Sequence, residues 1–246
     1  VNLQDRNLAW MSLTGTHRGC GRAINVDHLA TKCEKLVHVE YTRRHDEVAR
    51  RLHFVLARQI GVPNLKHLDK HKVEARLFGR NGWITFNKEV KTDKAVACNK
   101  PDIVVADYSK NVITLVEVGI TCQDNLGQVE RDKKEKYKAL TEQMGNHKMN
   151  ALTTIEVVPY VMTWDGLVTK RHTECRLKLG VSDRMEGQIQ RICLQQTYDF
   201  VMRELGIEVM EEIEGWVQGM SRRTMPPLPD PGPMPMATAP AVLCET

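Results

Sequence analysis

The sequence predicts an α/β domain with a mixed central sheet flanked by helices. A long amphipathic segment comes first, several runs rich in β-branched residues follow, and helical segments separate and succeed the later runs. The strict strand–helix alternation of a dinucleotide-binding fold is missing, and neither common type of glycine-rich phosphate loop is present. With 41% hydrophobic and 27% charged residues among 246, the composition is that of a folded globular domain.

Each element is predicted by its own local pattern. The first helix, residues 42–60, has apolar residues at helical spacing, and Gly61 and Pro63 end it. Five strands are predicted by alternating or β-branched runs, at residues 72–78, 82–90, 102–108, 112–121 and 154–163. Three further helices are predicted by apolar residues three and four positions apart, at residues 125–144, 185–205 and 208–220.

Composition divides the chain into four predicted parts. Residues 222–246 form a proline-rich tail that is expected to be disordered, since seven of the ten prolines lie between Pro226 and Pro240. The other parts are the main domain, a small metal-binding knuckle and the end of a linker, at residues 41–221, 14–40 and 1–13. The missing initiator methionine and signal peptide favour a fragment of a longer protein.

Charge and cysteine content narrow the partners only slightly. The net charge of +4 permits a nucleic-acid partner without requiring one. Seven cysteines without a secretion signal favour metal ligands or buried thiols over a disulfide scaffold. Since no uncharged apolar stretch reaches about 18 residues, no membrane partner is expected.

Two acidic residues stand among apolar neighbours on adjacent predicted strands. Asp102 opens one strand after a Lys-Pro pair, and Glu117 lies between two valines in the next. A buried carboxylate costs free energy unless something compensates it, and two that converge suit a hard divalent cation such as Mg²⁺. The alternative is that Asp102 is a turn residue and Glu117 pairs with a nearby lysine.

A lysine on the following helix extends this acidic pair. Metal-dependent nucleases of the restriction-enzyme type place Pro-Asp on one strand and Glu-x-Lys on the next, so that the lysine shares the face of the glutamate. Here Gly119 stands at the lysine position, and the space there is expected to be empty. Lys133, on the apolar stripe of the helix 125–144, is predicted to reach the two acids, although a stripe lysine also often extends to solvent.

The chemistry predicted for this set is metal-assisted phosphodiester hydrolysis. Asp102 and Glu117 would hold one or two Mg²⁺ ions, which polarise the phosphate and lower the pKa of a bound water. Lys133 would orient that water or stabilise charge on the phosphate. Tyr137, one turn on, has two interpretations: support of Lys133 or contact with the DNA backbone on one hand, and core packing on the other.

Upstream, His17, Cys20, His28 and Cys33 have the spacing of metal ligands. Four such ligands within a short segment suit a tetrahedral structural zinc. His38 competes with His17 for one ligand position, and an unmetallated loop with buried cysteines is the alternative.

Together these motifs resemble the C-terminal part of site-specific non-LTR retrotransposon polyproteins, which insert into ribosomal RNA genes and related targets. In that family a reverse transcriptase precedes a zinc knuckle and a restriction-like endonuclease. The resemblance covers about residues 18–205 and rests on the knuckle, Arg44-His45-Asp46 at a helix start, Lys100-Pro101-Asp102, Glu117 and Lys133-x-x-x-Tyr137. The family usually has Cys where His17 stands, but His is also a zinc ligand.

This resemblance implies a restriction-endonuclease-like fold, of the PD-(D/E)xK type, that nicks target DNA with Mg²⁺ to prime reverse transcription. Asp102, Glu117 and Lys133 match the catalytic residues of the family. Arg44 and His45 match a signature expected either to cap and form salt bridges or to contact nucleic acid or the active site. Polymerase activity and binding of the element RNA would belong to the parent polyprotein, from whose linker the first residues derive. A nuclear location and a homodimer are further expectations.

Two other functions stay open at this level. A decayed or domesticated element would keep the knuckle and the basic surface as a non-catalytic nucleic-acid-binding module, although the intact acid–acid–lysine set favours catalysis. A cellular repair or resolvase nuclease of the same fold is the third, and is disfavoured because the knuckle directly precedes Arg44-His45-Asp46.

Overall fold

The computed structural model describes residues 15–146 and 153–206. They form a five-stranded mixed sheet with helices packed against it, so the predicted α/β class is confirmed at this level. Within the two ranges, no helix is both long and apolar enough to cross a membrane. The predicted linker 1–13, helix 208–220 and tail 222–246 lie outside the described residues.

The strands lie side by side in chain order. They are β1 Arg76–Gly79, β2 Gly82–Phe86, β3 Ile103–Asp107, β4 Val112–Thr121 and β5 Thr154–Thr163. Neighbours from β1 to β4 pair antiparallel, whereas β4 and β5 pair parallel because a helical crossover joins them. The bounds of β4 and β5 agree with the prediction, whereas β1 begins later than predicted. β2 ends early because Asn87 adopts a φ of 50°, outside the strand region.

The described helices are α1 Thr42–Gln59, α2 Leu126–Lys136, α3 Lys138–Asn146, α4 Lys170–Lys178 and α5 Asp183–Glu204, and two π-helical turns, His28–Lys32 and Val37–Tyr41, precede α1. The predicted helix 125–144 is interrupted because Tyr137 leaves helical geometry, with φ −105° and ψ 13°. Sequence reasoning missed α4, whose polar sequence has no clear apolar stripe. Thr169 caps this helix by accepting a hydrogen bond from the His172 N–H.

Both faces of the sheet are covered, because successive strand residues point to opposite sides. On β3, Ile103 and Val105 pack in one core with α1 and α5, whereas Val104 and Ala106 pack in a second core with Leu140 of α3. This division decides which strand residues meet α2 and α3.

The same alternation places the two acidic residues. On β4, Leu115 belongs to the second core, so Glu117 lies on that face as well. Ile103 of β3 is opposite Val116 of β4, and continuing this register by one residue sets Asp102 beside Glu117. Strand alternation and register therefore bring both carboxylates together at the start of β3, beside the middle of β4.

Candidate functional site

Four side chains before α1 converge into a group that we call the Cys/His cluster: His17, Cys20, His28 and Cys33. Their ligand atoms lie within 4.8 Å of one another, and the described residues contain no other such group of three or more. Cys20 Sγ lies 3.2 Å from His17 Nδ1, 3.1 Å from His28 Nε2 and 3.8 Å from Cys33 Sγ.

These separations suit a tetrahedral zinc site. Zn–S bonds of about 2.3 Å and Zn–N bonds of about 2.0–2.1 Å give S–S edges of about 3.8 Å and S–N edges of about 3.6 Å. The backbone N–H of Arg22 and the His17 side chain lower the pKa of the Cys20 thiol to about 6, which favours the thiolate form. The cluster could therefore hold a metal ion such as zinc. Of the two histidines that competed for one ligand position, His17 belongs to the cluster, whereas His38 is exposed and lies outside it.

A tight turn and a π-helical turn bring these ligands together. The Gly21 N–H donates to the His17 carbonyl at 2.7 Å, and Gly21 has a φ of 71°, which favours glycine. His28 opens the first π-helical turn, and the Cys33 N–H donates to the His28 carbonyl at 2.8 Å. The backbone thus positions these three ligands locally.

The second group is the acidic pair, Asp102 and Glu117. Asp102 Oδ2 accepts a hydrogen bond from the Val118 N–H at 2.8 Å and lies 3.1 Å from His45 Nε2. Burial alone would raise the pKa of the Asp102 carboxyl, but the contact with His45 and the Val118 N–H hold this pKa below its usual range. Asp102 is therefore kept as a carboxylate next to Glu117.

Glu117 has partners on both of its oxygens, and its side chain is only 2% exposed. Lys133 Nζ and Lys136 Nζ lie 2.9 Å and 2.6 Å from Oε1, and the Tyr137 hydroxyl donates to Oε2 at 2.9 Å. The structure therefore brings Lys133 to Glu117, as the sequence predicted, and adds Tyr137 and Lys136. Positions i, i+3 and i+4 share a helix face, which is the signal that could have identified Lys136.

Glu117 also changes the titration of its neighbours. Burial would lower the pKa of the Lys133 ammonium, but the charge and hydrogen bond of Glu117 raise it above its usual value. Burial together with the Glu117 charge raises the pKa of the Tyr137 hydroxyl, so it remains a hydrogen-bond donor. Tyr137 is also fully buried in the second core, so core packing describes its position and a contact with the DNA backbone does not fit it.

The space at Gly119 is filled, contrary to the prediction. A Cβ at this position would lie 3.2 Å from Val161 Cγ2 and 3.3 Å from Val129 Cγ1 of α2. Because Gly119 has no side chain, α2 packs closely on β4 at this position. This close approach brings the lysines of α2 within reach of Glu117.

Arg44 and His45, both predicted to contact nucleic acid, have different surroundings. Arg44 is 1% exposed, its Nη2 donates to the Ala30 carbonyl, and its guanidinium carbon lies 5.9 Å from the centre of the Phe200 ring. A nucleic-acid contact does not fit this buried position, in which Arg44 packs the knuckle against α1 and α5. His45 instead contacts Asp102, which offsets burial and raises the pKa of the imidazole.

The acidic pair has the oxygen donors of a magnesium site, but cations of the protein already engage them. Two carboxylates suit Mg²⁺ chemically. Here two ammonium groups share Glu117 Oε1, and His45 contacts Asp102 Oδ2. A divalent cation would have to displace part of these contacts, so this arrangement does not by itself support the predicted Mg²⁺.

The fold and the Cys/His cluster show that this protein is an α/β domain with a candidate zinc centre. No family model matches the chain, and no curated protein matches it. Among solved structures, it is similar to an N-terminal domain of a reptarenavirus L protein, at 16% identity over 73% of this chain and 82% of that chain, with a TM-score of 0.28. A TM-score at this level says nothing about what this chain does.

Proposed function

We propose that this chain is a metal-dependent DNA endonuclease domain with a restriction-endonuclease-like fold, from a non-LTR retrotransposon polyprotein. One observation carries the proposal: Asp102 before β3, Glu117 in the middle of β4 and Lys133 of α2 meet on one face of the sheet. Lys133 Nζ lies 2.9 Å from Glu117, and Asp102 accepts a hydrogen bond at 2.8 Å from the residue after Glu117. Two acids with a lysine beside them are a set suited to metal-assisted cleavage of a phosphodiester.

Each residue of the set has a role in this proposal. Asp102 and Glu117 would hold Mg²⁺ once part of their contacts with the lysines and His45 is displaced. The bound ion would polarise the scissile phosphate and lower the pKa of a water molecule. Lys133, whose side chain is 21% exposed, donates to phosphate oxygens as charge develops on them. Tyr137 and His45 hold Glu117 and Asp102 in place through their hydrogen bonds.

The resemblance to retrotransposon proteins suggests the wider role. Cleavage would nick target DNA in the nucleus and prime reverse transcription by the polymerase of the parent polyprotein, which would also bind the element RNA. The Cys/His cluster would be a zinc knuckle that helps to position nucleic acid. A homodimer would cut both strands.

One observation favours the second candidate, a non-catalytic nucleic-acid-binding module. Glu117 is already compensated by two ammonium groups and a hydroxyl, so the acidic pair has internal partners without a divalent cation. A protein that had lost cleavage would retain such a network for stability.

Nicking of supercoiled plasmid with Mg²⁺ separates the two candidates. We expect the full chain to nick, and Asp102→Asn and Lys133→Ala to lower the rate about 100-fold or more. Lys136→Ala tests the second lysine and should have the smaller effect, since its side chain is the more exposed, at 38% against 21%. Lys134→Ala, an exposed lysine of the same helix, is the matched control and should leave the rate unchanged.

No nicking above background by the unaltered chain would favour the binding module. Nicking that is equal in the unaltered chain and in Asp102→Asn would contradict the role of Asp102. Full activity of Lys133→Ala combined with loss in Lys136→Ala would transfer the role to Lys136.

A further inference from the structure

We propose that Glu204 is a positioning residue of the Cys/His cluster, whose carboxylate accepts the Nε2–H of His17 and holds Nδ1 toward the two cysteines. Glu204 is the last residue of α5, and its Oε2 lies 3.4 Å from His17 Nε2. The proposal rests on the cluster binding zinc and does not depend on nuclease activity.

The two ring nitrogens of His17 face different partners. Nδ1 lies 3.2 Å from Cys20 Sγ and 3.4 Å from Cys33 Sγ, whereas Nε2 faces Glu204. A neutral imidazole that carries its proton on Nε2 has a free lone pair on Nδ1 for a metal. Glu204 selects this tautomer, because its carboxylate accepts a proton and does not donate one.

Carboxylates in this position are a common part of zinc sites. A histidine that binds a metal usually donates its other N–H to an acceptor that fixes the ring and raises its basicity. Loss of such an acceptor typically lowers metal affinity about 10–100-fold. Arg203, the neighbour of Glu204 in the chain, has Glu40 as its ion-pair partner, with 3.4 Å between Arg203 Nη2 and Glu40 Oε1.

The contact between Glu204 and His17 links the cluster to the C-terminal end of α5. Phe200 and Val201 of α5 pack in one apolar core with Val26, Leu29 and Ala30 from the segment that carries the ligands. The end of α5 is therefore seated against the knuckle by apolar packing, with Glu204 directed at His17. Metal binding and the seating of α5 are accordingly expected to stabilise each other.

Zinc affinity of the full chain tests this role. Competition with a chromogenic chelator should give a zinc Kd about 10–100-fold weaker for Glu204→Ala. The loss for Glu204→Gln should be smaller, since an amide oxygen still accepts a hydrogen bond. Glu34→Ala is the control: its side chain is 80% exposed and pairs with Arg22, not with a ligand, so its zinc Kd should not change.

Thermal unfolding separates positioning from simple structural support. Glu204→Ala should lower the Tm of the zinc-loaded chain more than that of the zinc-free chain. Equal losses of Tm in the two forms would overturn the proposal, as would a zinc Kd for Glu204→Ala within about twofold of the unaltered chain. Absence of zinc binding by the unaltered chain would overturn it too, without bearing on DNA cleavage.

Discussion

The Cys/His cluster and the acidic pair are both convergences of polar side chains, but they are compensated in different ways. In the Cys/His cluster, ligand atoms from one short segment contact one another at 3.1–3.8 Å. The acids come from two strands, and their partners His45, Lys133 and Lys136 come from two helices. The first group has the donor set of a metal site, whereas the second carries its own cations.

This difference indicates how each group would respond to change. Burial raises the pKa of the Cys33 thiol, so Cys33 keeps its proton without a metal, and a bound zinc would add bonds to all four ligands. Metal loss should therefore loosen the first group. The acidic pair should persist without metal and lose stability only when its internal ion pairs are broken.

The largest effect is expected from breaking the Cys/His cluster. Cys33→Ser should remove one ligand, and at zinc concentrations about a thousandfold above Kd the stabilisation lost with zinc binding reaches about 4 kcal/mol. Denaturant unfolding with and without chelator measures this loss. Cys98→Ser, outside the cluster, is the control and should keep the full response to chelator. A stability of the unaltered chain that does not change with chelator would contradict the metal dependence.

A smaller loss is expected at the acidic pair. Glu117→Ala leaves two ammonium groups without their carboxylate and should lower the free energy of unfolding by about 3 kcal/mol. This value is at the low end for breaking a buried ion pair, because both lysines are partly exposed. The cost should be the same with and without chelator. Glu156→Ala is the control, since its 3.1 Å pair with Lys178 is largely exposed and should contribute at most about 1 kcal/mol. Equal costs for the two variants would show that burial adds nothing to the Glu117 network.

The smallest effect is a loss of stability at acidic pH. It is expected from a third polar group, the buried pair His53 and His71, whose rings have no hydrogen bond to a carboxylate among the described residues. His53 Nδ1 lies 2.8 Å from His71 Nε2, and burial, with a contribution from His71, lowers the pKa of His53 from 6.5 to about 4. Burial and Arg50 also lower the pKa of His71, against an opposing influence of Glu74. The folded chain therefore binds a proton at His53 less readily than the unfolded chain does.

Stability should accordingly be complete above pH 6.5 and fall as the pH drops toward 4. Between pH 7 and pH 5 the loss from His53 should be about 2 kcal/mol. Denaturant unfolding at the two pH values measures it, and His53→Phe should reduce the difference. The same acid sensitivity in His53→Phe would assign the effect to other groups, those of the two clusters included.

Local patterns predicted much of the fold. The bounds of β4 and β5 agree with the prediction, and α1 ends within one residue of its predicted limit, because apolar periodicity is strong in these segments. For α4, the helix depends on a cap at Thr169 and on burial of His172, neither of which shows as an apolar stripe. For Arg44 the sequence left two roles open, capping and salt bridging or a nucleic-acid or active-site contact, since a charged residue at a helix start looks exposed until packing covers it.

The sequence by itself determined the residue types of both groups and, through close spacing, three of the four Cys/His ligands, because ligands so near one another are brought together by local turns. The tertiary structure decided between His17 and His38 for the remaining position, and the register of β3 with β4 placed Asp102 and Glu117 on one face. Only the tertiary structure decided that Gly119 admits α2, that Lys136 joins Lys133 at Glu117, and that Glu204 meets His17. Those contacts depend on how elements distant in the chain pack together, which residue spacing does not encode.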